Sequence, residues 1–111
     1  MSLTLFLRTR GKPFHAEAEY DGSVMIVKKG AIVNTNLSGH IRGGTKSRSY
    51  LNNPEFVNEN GLVLENCVFK SPSTAAQFVN GNSTNGLLAW KTREGIPLKD
   101  ILNPEKKYND N

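Results

Sequence analysis

Across residues 14–20 hydrophobic and polar positions alternate: Phe14, Ala16, Ala18 and Tyr20 fall on one side, His15, Glu17 and Glu19 on the other. A period of two predicts a strand with one buried face. Asp21-Gly22 follows, a pair suited to the positive φ angles of a two-residue hairpin turn. Residues 24–27, Val-Met-Ile-Val, then form the return strand. Such a turn would pair Tyr20 with Ser23 and Ala18 with Met25, and set Glu17 opposite Ile26. The return strand is apolar on both faces, which predicts a central place in a sheet. Residues 4–8 supply a third strand.

Glycines and asparagines then punctuate residues 30–45 as a loop. Residues 46–52 read as a short helix ending before Pro54. Phe56-Val57 and Leu62-Val63-Leu64 flank Asn60-Gly61, a second hairpin signal, and Cys67-Val68-Phe69 is a further short strand. Ser71-Pro72-Ser73 opens a helix: Ser71 is the natural N-cap, and Pro72 loses no needed N–H at the first helical position. Ala75, Ala76, Phe78 and Val79 continue it, and Gly81 ends it. Asn85-Gly86 predicts a sharp bend with positive φ, followed by an apolar turn of Leu87, Leu88 and Trp90. Pro97 starts a last helix whose Leu98, Ile101 and Leu102 share one face. The predicted class is α+β: β-hairpins in an antiparallel sheet with two or three short C-terminal helices. One domain spans residues 1–103, and residues 104–111 form a frayed polar tail.

Composition fits a single foldable domain: 111 residues, 37% hydrophobic and 22% charged. The lone Cys67 has no internal disulfide partner, which fits a reducing compartment. No apolar run approaches the ~20 residues that span a bilayer. The short apolar start runs into Arg8 and Arg10 and lacks the pattern of a signal peptide. The expected location is the cytoplasm, with no membrane association.

The net charge of +4 is mild, but its distribution is uneven. Between Asp21 and Glu55 there is no acidic residue, while Lys28, Lys29, His40, Arg42, Lys46 and Arg48 all lie there. Such an interval is either a solvated basic loop or an arm that contacts phosphates.

Catalytic signatures are missing. His15, His40 and Cys67 have no metal-ligand spacing, so no metal is expected. There is no Gly-x-Ser-x-Gly elbow, and no strand leads into a GxGxxG loop. Gly43-Gly44-Thr45-Lys46 lacks the full spacing of a phosphate loop. Paired carboxylates at an obvious site are absent too. The chain is expected to be non-catalytic and to need no cofactor. Trp90 is read as core, the alternative being a stacking surface for a base, and Cys67 as a small buried hydrophobe.

A broader pattern runs through Phe69-Lys70-Ser71-Pro72-Ser73-Thr74-Ala75-Ala76, then Gly81, Asn85-Gly86, Trp90-Lys91, Gly95 and Leu98. Over residues 67–102 it resembles the bacterial domain of unknown function found C-terminal to GIY-YIG nuclease domains. It is also similar to the RAMA domain, associated with restriction enzymes and adenine methylases. The residue after Asn85-Gly86, often aromatic in those relatives, is Leu87 here, and no GIY-YIG sequence is present. The resemblance implies an accessory module that binds DNA, modified or unmodified, beside a nuclease or methylase partner or fused domain. Nuclease activity does not carry over.

Physics gives that motif a use in binding. Amides at the start of a helix favour a phosphate, and Ser71 and Ser73 add hydroxyl donors. The expected interface groups Arg42, Lys46 and Arg48 with Lys70 and Lys91 beside Ser71, Ser73 and Asn85. The same serines are also explained by helix capping alone. The leading reading is DNA binding; the alternative is a protein-interaction module docking a nuclease or methylase.

Overall fold

The computed structural model describes residues 2–35, 44–82 and 84–103. Four strands, β1 (Leu3–Arg8), β2 (His15–Tyr20), β3 (Met25–Val27) and β4 (Cys67–Phe69), form one antiparallel sheet in the order β1-β2-β3-β4. Among the described residues four helices accompany it: α1 (Gly44–Leu51), α2 (Pro72–Asn80), α3 (Gly86–Ala89) and α4 (Leu98–Leu102). The fold is α+β, as the patterning predicts.

The hairpin at Asp21-Gly22 forms, but with a different register from the two-residue expectation. Tyr20 faces Met25, Glu19 faces Ile26 and Ala18 faces Val27. The cause is the Asp21 side chain. Its Oδ1 accepts the amides of Ser23 at 2.8 Å and Val24 at 2.9 Å, which widens the turn to four residues. These bonds, that of Val24 foremost, hold the Asp21 carboxyl below its usual pKa. The register moves by two, so every side chain keeps its face; a shift of one would have inverted them. β3 is indeed an inner strand.

Alternation along β1 and β2 puts Leu5, Leu7, Ala16 and Ala18 on the inner face with Met25, Val27, Cys67 and Phe69. α2 lies across that face and contributes Ala75, Ala76, Phe78 and Val79. Alanines on both layers let helix and sheet approach closely. Cys67 is fully buried, and that burial pushes its thiol pKa up to about 12, so it behaves as a hydrophobe. Trp90 and Leu98 close the core from the C-terminal side, joined by a Leu98 amide bond to the Trp90 carbonyl at 2.9 Å. On α4, Leu98 is buried and Ile101 half-buried, but Leu102 is 45% exposed. The predicted three-residue apolar stripe therefore stops short: a helix of five residues has too little length to seat its last turn.

Each margin of the sheet carries a further partner. Beyond β1, Lys91 and Phe6 exchange two backbone bonds of 2.7 and 2.9 Å. Beyond β4, the Tyr50 hydroxyl of α1 donates to the Val68 carbonyl (3.2 Å) and accepts the Val68 amide (2.9 Å). The Tyr50 ring packs on Phe56, Phe69 and Phe78 with centroids 5.0, 5.4 and 5.9 Å away, which fastens α1 to the core.

The second predicted hairpin is reduced to a single bridge between Val57 and Val63. Asn58 Oδ1 accepts the amides of Asn60 and Leu62, which makes a tight loop with little strand on either side. Bonds from Gly30 to Val63 and from Val33 to Gly61 tie this loop to the segment after β3.

α2 begins as predicted. Ser71 is extended, and its Oγ accepts the Thr74 amide at 3.2 Å; Gly81 ends the helix at φ 81°, its amide bonded to the Gln77 carbonyl. Ser71→Ala should lower unfolding stability by about 0.5–2 kcal/mol. Denaturant titration checks this, and an unchanged midpoint would count against the cap.

Candidate functional site

The residues expected to form one interface fall into separate places. Arg42 lies outside the described residues. Lys46 and Arg48 are on α1 at the β4 side of the sheet, and Lys46 Nζ sits 5.1 Å from the centre of the Tyr50 ring. Lys70 is exposed immediately after β4. Lys91 lies beyond β1, at the opposite margin. The structure therefore keeps Lys46, Arg48 and Lys70 on one side and places Lys91 on the other.

Ser71, Ser73 and Asn85 belong to a local lock around the start of α2. Ser71 caps the helix. Ser73 Oγ accepts the Gly86 amide at 3.0 Å. Asn85 caps α3 through a 3.0 Å bond from the Leu87 amide to its Oδ1. The Trp90 indole N–H donates to the Pro72 carbonyl at 2.9 Å. Gly86 is not at positive φ, contrary to the expectation for Asn85-Gly86: Asn85 is extended at φ −80° and Gly86 begins α3. Its glycine is required by proximity, because a Cβ there would collide with Pro72 C and O and with Ser73 N. The first turn of α2 is thus covered by α3, and its serine oxygens are already engaged within the fold.

A different basic group is assembled at the C-terminal end of β1. The β1–β2 turn is held by the Thr9 amide, which donates to the Phe14 carbonyl at 3.0 Å, and it passes through Gly11 at φ 69°. Arg8, Arg10 and Lys12 are all exposed around it. Across the β1 margin lie Lys91 and, two residues on, Arg93, whose guanidinium carbon sits 5.0 Å from the Phe6 ring centre. Three clefts share Arg8. One of about 350 Å³ is lined by Arg8, Arg10, Lys12 and Lys91 with Thr9, Asn80 and Asn82 among its polar groups. A second, about 540 Å³, adds Phe6, His15, Glu17, Lys28 and Lys29. The third, about 310 Å³, is bounded by Phe6, Arg8, Thr92 and Arg93.

These clefts gather Arg8, Arg10, Lys12, Lys28, Lys29, Lys91 and Arg93, half of the chain's 14 lysines and arginines. Among the described residues, Glu17 is the one carboxylate in their lining, and it is paired with Lys28 at 3.1 Å. That bond raises the Lys28 pKa. Glu19 is drawn away by hydroxyl donors: Thr4 at 2.7 Å, which mainly lowers its pKa, and Ser2 at 2.9 Å. Like charges gathered with so little compensation repel one another and create a positive field that a polyanion would relieve.

The signal for this group was present in the sequence. No acid precedes Glu17, and Arg8, Arg10 and Lys12 lie in that first interval. What the sequence lacks is the pairing of Phe6 with Lys91 that adds the second arm. Among the described residues no cluster of three His, Cys, Asp or Glu could hold a metal, and no helix is long and apolar enough to cross a membrane.

Neither the curated proteins nor the solved structures contain a match to this chain. A family model described as "Domain of unknown function (DUF4357)" matches residues 6–102, and the chain belongs to that family.

Proposed function

We propose that this member of the DUF4357 family is a non-catalytic DNA-binding module, and that the basic margin of β1 is its phosphate-contacting surface. The observation that carries the reading is the grouping of Arg8, Arg10, Lys12, Lys91 and Arg93 around clefts in which Glu17, the one carboxylate among the described lining residues, is already paired. Arginines and lysines on an exposed surface hold the DNA backbone without reading its sequence. The resemblance of residues 67–102 to the GIY-YIG-associated and RAMA domains supports an accessory role in the bacterial cytoplasm. There the module would work beside a nuclease or methylase, on modified or unmodified DNA.

Anisotropy titration of a labelled duplex at two salt concentrations tests this. Binding in the range of about 1–100 μM is expected at physiological salt, weakening steeply as salt rises. Replacing Arg8, Arg10 and Lys12 together by Ala should reduce the salt slope by about 0.9 for each phosphate no longer neutralised. The Lys46→Ala, Arg48→Ala pair on the far margin should change it little. The opposite ranking would move the interface to α1, and no binding at low salt would overturn the reading.

A second reading is docking of a nuclease or methylase protein. It is favoured by Leu88, Ile96 and Leu102, which are 50%, 43% and 45% exposed on and between the short C-terminal helices. Such an interface would weaken little with salt, which separates it from phosphate binding.

A further inference from the structure

Among the described residues, α2 packs on the inner face of the sheet. On the outer face the same alternation sets Phe6 between Thr4 and Arg8 on β1, opposite Glu17 on β2. Phe6 is half-buried although it points away from the core. Arg93 lies over its ring, and the ring lines both the 540 Å³ and the 310 Å³ clefts. An aromatic ring on a strand face, with the Arg93 guanidinium over it and Arg8 two residues along the same face, has the parts of a stacking platform: a π-surface for a base and charges for the backbone.

Resting on the DNA-binding reading above, we propose that the outer sheet face takes single-stranded nucleic acid, with one unpaired base stacked on Phe6. The phosphates follow the β1 margin, held by Arg8, Lys91 and Arg93. They are kept there because Glu19 carries its charge on the same face of the neighbouring strand and repels an anionic backbone. A duplex cannot use Phe6 in this way, since its base faces are hidden in the stack. The 540 Å³ cleft lies within the ~300–1,000 Å³ typical of small-molecule sites, ample for one base.

The test compares a labelled oligothymidylate with a labelled duplex hairpin on the full chain. Phe6→Leu keeps an apolar side chain but removes the ring. It should weaken oligothymidylate binding about 5- to 150-fold, the usual worth of one base–aromatic stack, and duplex binding by clearly less. Phe6→Trp should retain affinity, and the added indole fluorescence should be quenched on binding. Equal oligothymidylate affinity for the wild type and Phe6→Leu, or an unquenched Phe6→Trp, overturns the stacking proposal. If the Arg8, Arg10, Lys12 variant still weakens both ligands in that case, the DNA-binding reading survives without it. Absence of binding to either ligand at low salt removes both.

Discussion

Gly86→Ala is expected to destabilise the fold by about 3 kcal/mol or more, at the upper end of what overpacking costs. The new methyl group would meet Pro72 C and O and Ser73 N, all of them backbone atoms of the first turn of α2. A side chain could swing aside; a helix start cannot. Relief requires α3 to lift from α2, which breaks the bond from the Gly86 amide to Ser73 Oγ and the bond from Trp90 to the Pro72 carbonyl. A domain of this size has only about 5–15 kcal/mol in total, so much of the stability would go. Gly95 provides the contrast. It sits at φ 91° with nothing near its virtual Cβ, so Gly95→Ala should cost only about 1–2 kcal/mol, from conformation alone. Urea titration of the two variants gives the comparison. A Gly86→Ala protein more stable than Gly95→Ala would refute the close-approach account.

Trp90→Ala should cost about 3–5 kcal/mol, the range for truncating a large aromatic in a core. The indole is fully buried, and its N–H satisfies the Pro72 carbonyl. Trp90→Phe separates the two contributions, because it keeps most of the packing and leaves that carbonyl without its donor, a loss of about 1–3 kcal/mol. In the wild type the Trp90 fluorescence should be shielded from iodide until the chain unfolds. Quenching as complete as for a free indole would place the ring at the surface and rule out both costs.

Trp90 and Ser71 show where sequence reading succeeds. Local chemistry decides them: an N-cap hydroxyl before proline, and a large aromatic in a short chain that must bury it. The strands succeed for a similar reason, since alternation at residues 14–20 reports burial directly. Failures arise where a tertiary neighbour or a side-chain bond enters. The register of the first hairpin depends on the Asp21 carboxylate capturing two amides, which backbone turn preferences do not contain. Gly86 was legible as a glycine with a purpose, but the purpose is the backbone of Pro72, visible only once α2 and α3 are packed. The candidate interface was legible least. The acid-free stretch between Asp21 and Glu55 draws attention to Arg42, Lys46 and Arg48 and away from Arg8, Arg10 and Lys12. The position of each basic residue around the sheet depends on strand order, which puts Lys91 against β1 and Lys46 beside β4.

The partners at the two margins of the sheet have a consequence for self-association. Open strand edges invite another chain to add a strand, the common route to swapped dimers and fibrils. Here the middle of each outer strand already has its backbone groups taken, Phe6 by Lys91 and Val68 by the Tyr50 hydroxyl. An incoming strand would have to evict one of them, so concentrated solutions of the native chain should not associate by extending the sheet. Tyr50→Phe, which keeps the ring and deletes the hydroxyl, frees the Val68 amide and carbonyl and reopens the β4 margin to such pairing.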